Sequence, residues 1–227
     1  MLKSFYSPRL CPVCKKEQPE KEIVCSVCIK HLEKERLAPS LRCEVCFNRL
    51  IRGACGFCSG RNIFFNKHYS LFNLSKHWME FLHVWKFEND RGLSRFFNFY
   101  LKEILPVIPE DCLMLYLDSG KSGYDVRAYQ PCRDICNFLS ENSGLRKGGA
   151  LKKILRHKQS GRSYRNRFLE IRDGYSTENL LPSRKYVVIE DVFTTGATGN
   201  ETARILRNYG AEFIMIVSLL MRENDSV

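Results

Sequence analysis

Eight cysteines near the N-terminus of this 227-residue chain have the type and spacing of metal ligands. They form four Cys-x-x-Cys pairs within the first 58 residues, and 10, 14 and 8 residues separate successive pairs. A Cys-x-x-Cys turn presents two thiolates on one side, so two such turns complete a tetrahedral Zn²⁺ site. The spacing predicts one site from the first two pairs and another from the last two: Cys11, Cys14, Cys25 and Cys28, then Cys43, Cys46, Cys55 and Cys58.

A redox or disulfide role for these cysteines is the alternative, and a crossed pairing of the four turns stays open as well. A site with four thiolate ligands leaves no open position, so the predicted zinc is structural and not catalytic. A segment of about 60 residues buries too little apolar surface to fold securely alone, and bound metal supplies the missing stability.

A second candidate site lies near the C-terminus, where an apolar run passes into an acidic pair and a loop rich in Thr and Gly. Residues 186–189 form a short β-branched strand, and Glu190 and Asp191 follow it directly. Backbone N–H groups and hydroxyls of residues 194–198 can cradle a phosphate. The two carboxylates can accept hydrogen bonds from neighbouring hydroxyls of a sugar. A phosphorylated pentose satisfies both halves of this site.

The elements around this site indicate an α/β fold. Residues 202–209 have helical composition, Gly210 ends that helix, and residues 213–217 form another apolar strand. One β-α-β unit implies a parallel sheet, in which ligands bind at the carboxyl ends of the strands. Upstream, apolar periodicity predicts helices over 74–85 and 93–104, a strand over 112–117 and a helix over 128–141 opened by Pro131. The aromatic residues on the first two helices could stack on bases, but their helical spacing favours a place in the core.

Composition bounds the class of protein and its partners. The 36 Lys and Arg exceed the 25 Asp and Glu by 11, which favours a polyanionic partner such as nucleic acid or a phosphorylated small molecule. The excess is local, because residues 145–172 contain ten Lys and Arg against Glu170 alone. No apolar stretch is long enough to cross a bilayer and the N-terminus has no export signal, so we expect a cytoplasmic protein without a membrane span.

The segment 187–198 resembles the 5-phosphoribosyl 1-diphosphate (PRPP) signature of type I phosphoribosyltransferases: an apolar strand, two acidic residues, an apolar pair and Thr-Thr-Gly-x-Thr. Together with the cysteine array, it is similar to the ComF family, competence-associated proteins with a zinc module and a phosphoribosyltransferase domain. Residues 82–87 resemble the family's Leu-Lys-Phe helix end, and residues 159–168 resemble its Gln-Ser-x-x-Ser and Arg-x-x-Asn stretch. The resemblance implies a zinc-binding double ribbon over residues 1–62 and a phosphoribosyltransferase-like domain over 63–227, with a parallel sheet flanked by helices.

The resemblance also implies a set of ligand-binding residues. Glu190 and Asp191 are the best candidates for catalytic residues. A Val-Pro sequence usual in the family before its pyrophosphate loop is replaced here by Leu117-Asp118-Ser119. Lys121 can still neutralise a pyrophosphate, and the loop from Gly120 to Gly123 can wrap it. Mg²⁺ is expected to arrive with PRPP, which brings most of its ligands. The predicted PRPP-binding residues are Glu190, Asp191, Thr194, Thr195, Gly196, Ala197, Thr198 and Lys121.

Two functions of different class follow from these residues. The first is a ComF-like protein of DNA uptake, which binds single-stranded DNA and PRPP and has DNA-uptake proteins as partners. The second is an active phosphoribosyltransferase that transfers ribose 5-phosphate from PRPP to a base or an amine. A third hypothesis is a regulator that binds PRPP and makes no contact with DNA. The basic segment predicts a phosphate-tracking surface, and its members are Lys152, Lys153, Arg156, Lys158, Arg162, Arg165 and Arg167.

Overall fold

The structure, a computed structural model, contains a six-stranded sheet on which the helices pack. The structure describes residues 10–17, 22–87, 91–118, 130–154, 169, 171–177 and 180–223. The strands lie in the order β1-β6-β5-β2-β3-β4, and every neighbouring pair is parallel except β3 and β4. They are β1 Lys67–Asn73, β2 Leu113–Asp118, β3 Lys147–Lys153, β4 Tyr175–Ser176, β5 Lys185–Phe193 and β6 Phe213–Met221. The predicted α/β class with a parallel sheet is confirmed.

The central strand β5 is longer than its apolar run predicts. It continues through Phe193, because Glu190, Val192 and Phe193 pair with residues of β6, namely Ser218, Leu220 and Met221. Its side chains alternate between the two faces of the sheet: Val187 and Ile189 join one apolar cluster, and Val188 joins the other. Such burial on both faces is typical of parallel sheets covered by helices.

Helices and a short 3₁₀ turn cover the sheet. The helices are α1 Ser26–Glu33, α2 Lys76–Phe87, α3 Arg91–Leu101, α4 Pro131–Ser143 and α5 Ala197–Asn208, and the turn is Leu105–Val107. Pro131 opens α4 as predicted. Phe99 of α3 is 69% exposed, but the other described aromatic side chains of α2 and α3 pack into one face of the sheet, where Trp78, Phe81 and Phe97 are fully buried. This packing confirms the core role and leaves those rings unable to stack on bases.

The sheet has a topological switch point between β2 and β5. The chain continues from β2 outward to β3 on one side, and from β5 outward to β6 on the other side. The carboxyl ends of β2 and β5 therefore diverge into a crevice, which is where open parallel sheets bind ligands. Asp118 ends β2 at this crevice, and Glu190 and Asp191 lie near the end of β5.

The cysteine-rich segment packs against both faces of the sheet. Cys11 and Cys28 belong to the same apolar cluster as α2 and α3, whereas Cys46 and Phe57 belong to the cluster on the opposite face. The boundary between residues 62 and 63 stays a prediction. Among the described residues, no helix combines the length and hydropathy needed to traverse a lipid bilayer.

Candidate functional site

The eight N-terminal cysteines gather into the two groups that their spacing predicts. We call Cys11, Cys14, Cys25 and Cys28 the first cluster, and Cys43, Cys46, Cys55 and Cys58 the second cluster. Sγ–Sγ distances are 3.9 Å for Cys11–Cys28 and 3.7 Å for Cys14–Cys25. In the second cluster they are 3.9 Å for Cys43–Cys58 and 3.3 Å for Cys46–Cys55. No disulfide joins these residues.

These distances fit tetrahedral zinc. Four ligands with Zn–S bonds of about 2.3 Å place their sulfurs about 3.8 Å apart. Three of the four distances are close to this value, and the Cys46–Cys55 distance of 3.3 Å is shorter. Burial and the neighbouring Cys25 thiol raise the pKa of Cys28 well above its ordinary range. The Cys58 thiol and burial do the same to the pKa of Cys46. A bound cation compensates the charge of four neighbouring thiolates, so each donor set suits a structural metal ion.

A cavity of about 220 Å³ opens at the switch point of the sheet. We call it the switch-point cavity. Three acidic side chains and two basic ones line it, together with polar groups from α4, β4 and α5. The charged lining residues are Asp118, Glu190, Asp191, Lys86 and Lys153, and the other polar ones are Gln130, Cys132, Tyr175 and Thr198.

The acidic pair on β5 occupies two different environments. Glu190 is 8% exposed, whereas Asp191 is reached by solvent and forms an ion pair with the Lys86 Nζ at the end of α2. The backbone N–H of Val192 donates to Asp191 Oδ1 at 2.8 Å. On β2, Asp118 Oδ1 accepts a hydrogen bond of 3.2 Å from Gln130 Nε2. The carboxylates therefore converge on the cavity from both strands of the switch point.

Tyr175 adds a phenol to the same cavity. It comes from the two-residue edge strand β4 and is 9% exposed. Burial and the nearby Glu190 charge raise its pKa, so the hydroxyl keeps its proton at neutral pH. A protonated phenol can donate a hydrogen bond to a phosphate or a sugar oxygen.

The Thr/Gly loop, residues 194–198, leads from β5 into the first residues of α5, and its last residue, Thr198, lines the cavity. Gly196 caps the helix with φ +70°, and a Cβ there would lie 2.5 Å from Phe57 Cζ and 2.6 Å from Phe193 Cζ. Both the positive φ and the close contact require glycine. α5 begins at Ala197, whose N–H donates to Thr195 Oγ1 at 3.4 Å. The first N–H groups of a helix have no acceptor within the helix, and this is the arrangement that binds anions.

The structure brings most predicted PRPP-binding residues together. Glu190, Asp191 and Thr198 line the switch-point cavity, and Thr194, Thr195, Gly196 and Ala197 build the loop beside it. Lys121 lies outside the described residues. Sequence reasoning gave no site role to Lys86, Asp118, Gln130, Cys132 or Tyr175, which line the cavity as well. Two signals pointed to Lys86: its charge at the end of an aromatic helix, and the resemblance of residues 82–87 to the family's Leu-Lys-Phe helix end.

The two predicted nucleic-acid contacts that the structure describes, Lys152 and Lys153, lie in different environments. Lys152 and Lys153 are neighbours on β3 and point to opposite faces of the sheet. Lys152 is exposed, whereas Lys153 lines the switch-point cavity. The other predicted nucleic-acid contacts lie outside the described residues: Arg156, Lys158, Arg162, Arg165 and Arg167.

No protein-family model matches the chain, and no curated protein matches it significantly. Two solved structures are similar in part. A hypoxanthine phosphoribosyltransferase from Staphylococcus aureus is 14% identical with a TM-score of 0.36, over 59% of this chain and 67% of its own. An adenine phosphoribosyltransferase is 14% identical with a TM-score of 0.31, over 57% of this chain and 69% of its own. At these values the likeness concerns the course of the backbone alone.

Proposed function

We propose that this chain binds PRPP in the switch-point cavity, with the 5-phosphate on the Thr/Gly loop and the ribose against Glu190 and Asp191. One observation carries the proposal: a single strand-to-helix turn places two adjacent carboxylates and a glycine-capped helix N-terminus on the same cavity. The helix N-terminus attracts the phosphate dianion. The carboxylates accept hydrogen bonds from the ribose hydroxyls.

The two lysines of the cavity suit the pyrophosphate of PRPP. Lys86 neutralises Asp191 in the free protein, and Lys153 reaches the cavity from β3. Both ammonium groups therefore lie at the cavity where a pyrophosphate bound next to the ribose would need positive charge. We propose that Mg²⁺ accompanies PRPP, that Lys121 completes this cationic side, and that the two cysteine clusters hold structural zinc.

Calorimetric titration with Mg²⁺–PRPP and with ribose 5-phosphate tests the proposal. Asp191→Asn should weaken both ligands by about tenfold to 150-fold, because it removes a charge-assisted hydrogen bond of about 1.5 to 3 kcal/mol. Asp111→Asn is the matched control: Asp111 is also an ion-paired aspartate, with Lys185, but lies at the opposite ends of β2 and β5. Equal affinities in the wild type and Asp191→Asn would place the ligand elsewhere.

Two functions are candidates for a protein that binds PRPP in this cavity. We propose a ComF-like function in DNA uptake, with single-stranded DNA bound by the basic segment, and the support for it is the local charge and the sequence resemblance. An active phosphoribosyltransferase is the alternative. Release of pyrophosphate from PRPP in the presence of candidate bases or amines distinguishes them, because a protein that only binds PRPP releases none above background.

The DNA-binding part of this proposal has its own test. If lysines and arginines neutralise phosphates, log affinity for a single-stranded oligonucleotide falls linearly with log salt, with a slope of about −0.7 per contact. Lys152→Glu should flatten that slope, because Lys152 is exposed at the start of the basic segment. An unchanged slope for Lys152→Glu would remove this residue from the interface, and absence of any complex at low salt would overturn DNA binding.

A further inference from the structure

The second cysteine cluster touches the Thr/Gly loop through one aromatic side chain. Phe57 lies between the ligands Cys55 and Cys58 and is 1% exposed. Its ring lies 5.6 Å from the ring of Phe193, the last residue of β5. The Cα of Gly196 sits so close above it that an added Cβ would lie 2.5 Å from Phe57 Cζ. The metal-binding turn therefore forms the underside of the loop.

A buried asparagine ties the chain after the cluster to the first turn of α5. Asn200 is fully buried, and its backbone N–H donates to the carbonyl of Gly196 at 2.9 Å. Its Nδ2 donates to the carbonyl of Asn62 at 2.7 Å, and its Oδ1 accepts from the N–H of Phe64 at 2.8 Å. The side-chain amide of Asn200 therefore pairs with one backbone acceptor and one backbone donor of residues 62–64, which follow the second cluster.

A buried histidine makes a second connection between the cluster and β5. The His68 ring stacks on Phe193 with 3.8 Å between centroids. Its Nδ1 lies 2.9 Å from the carbonyl of Cys46, and its Nε2 lies 2.9 Å from Ser218 Oγ. Since a carbonyl only accepts, Nδ1 carries the proton and Nε2 accepts from the serine hydroxyl. Phe193 therefore contacts both the Phe57 ring and the His68 ring.

We propose that Phe57 is a positioning residue, through which the second cysteine cluster sets the geometry of the Thr/Gly loop. The inference rests on the proposed function for the identity of what the loop binds. A flat ring under Gly196 holds the left-handed conformation of that glycine, which starts α5 and directs its first N–H groups outward. Loss of the ring leaves a cavity beneath the loop, and the loop amides then open more often.

The first cluster supplies a matched comparison inside the same chain. Each Cys-x-x-Cys pair has an apolar residue before its second cysteine: Val13, Val27, Val45 and Phe57. Val27 precedes Cys28 as Phe57 precedes Cys58, but Val27 is 61% exposed. It lies on α1, beside a different cavity. Truncating Val27 therefore perturbs a metal-binding turn without removing support from the Thr/Gly loop.

The test compares Phe57→Ala, Phe57→Leu and Val27→Ala by zinc content and by amide hydrogen exchange of the peptides that cover residues 193–200. We expect all three to retain two zinc ions per chain. Loop exchange should be about tenfold faster in Phe57→Ala, faster by a smaller factor in Phe57→Leu, and unchanged in Val27→Ala. Phe57→Leu keeps an apolar side chain, so it supplies the readout if Phe57→Ala fails to fold.

Binding of ribose 5-phosphate distinguishes a failure of the positioning role of Phe57 from a failure of the proposed function. Affinity should fall by about tenfold in Phe57→Ala and stay at the wild-type value in Val27→Ala. Unchanged loop exchange in a zinc-loaded Phe57→Ala or Phe57→Leu variant would overturn the positioning role. Faster exchange in these variants, with no binding of ribose 5-phosphate or Mg²⁺–PRPP by the wild type, would uphold the positioning role and overturn the proposed function.

Discussion

The two cysteine clusters have the same ligands and the same Cys-x-x-Cys turns, yet they lie in different parts of the molecule. The first cluster packs with α1 against α2 and borders a cavity of about 470 Å³. The stacked rings of His31 and His77 line that cavity, 4.8 Å apart. The second cluster lies under the Thr/Gly loop, on the opposite face of the sheet. The same motif therefore packs against the aromatic helices at one position and beneath the Thr/Gly loop at the other.

The difference comes from the residues inside the turns and not from the ligands. Val27 in the first cluster is exposed, whereas Phe57 in the second is buried against Phe193 and Gly196. A metal ion bound to either cluster would fix four sulfurs. What the fixed turn does for the rest of the protein depends on the side chain that it presents to the sheet.

The largest expected effect comes from removing one ligand of each cluster in turn. Cys46→Ser should lower the free energy of unfolding by about 4 kcal/mol, because a fully buried ligand and its metal are lost from the core. Binding of ribose 5-phosphate should be lost with it. Zinc content, chemical denaturation and calorimetry measure the three quantities.

Cys14→Ser is the comparison for that variant, since Cys14 is exposed. It should lose one zinc ion per chain and keep its affinity for ribose 5-phosphate. Equal losses of affinity in Cys14→Ser and Cys46→Ser would mean that the two clusters do not differ in their support of the loop.

Substitution of Gly196 tests the contact between Phe57 and the Thr/Gly loop from the side of the loop. Gly196→Ala should cost about 3 kcal/mol of stability, from the strained positive φ and from the overlap with Phe57 and Phe193. Gly60→Ala has a similar φ of +74° and no atom within 4 Å of the new Cβ. It should cost about 1 kcal/mol, from the backbone conformation alone. Thermal or chemical denaturation measures both, and equal costs would argue against the close packing under the loop.

The smallest expected effect concerns Lys86, the lysine of the switch-point cavity that pairs with Asp191. Lys86→Met should weaken Mg²⁺–PRPP by about tenfold and ribose 5-phosphate much less, because only PRPP carries a pyrophosphate. Lys76→Met, at the exposed start of the same helix, should change neither affinity. If Lys86→Met weakened both ligands equally, the lysine would act on the ribose or the 5-phosphate instead.

The sequence predicts features whose determinants are close together along the chain. The cysteine groups follow from their short spacing. The turn from Glu190 to Thr198 follows from an apolar strand that meets a Thr/Gly sequence, and α5 begins five residues earlier than the predicted start at residue 202 because Gly196 caps it. The extra length of β5 depends on pairing with β6, which the apolar run alone does not encode.

Features that depend on tertiary packing escaped prediction. Lys86 meets Asp191 only because α2 packs across the end of β5, 105 residues away in sequence. Lys152 and Lys153 look alike in the basic segment, but the alternation of β3 sends one to solvent and the other to the cavity. The contact of Phe57 with Gly196 joins two motifs that sequence reasoning placed in separate domains.

Backbone amide shifts on addition of ribose 5-phosphate test the central claim most directly. In an isotope-labelled chain, the account predicts that the largest shifts occur at the amides of residues 194–199, where the start of α5 would receive the phosphate. Smaller shifts should follow at Glu190, Asp191 and Tyr175. A saturable set of shifts located elsewhere, or none at ligand concentrations that saturate phosphate sites, would contradict ligand binding at the switch-point cavity.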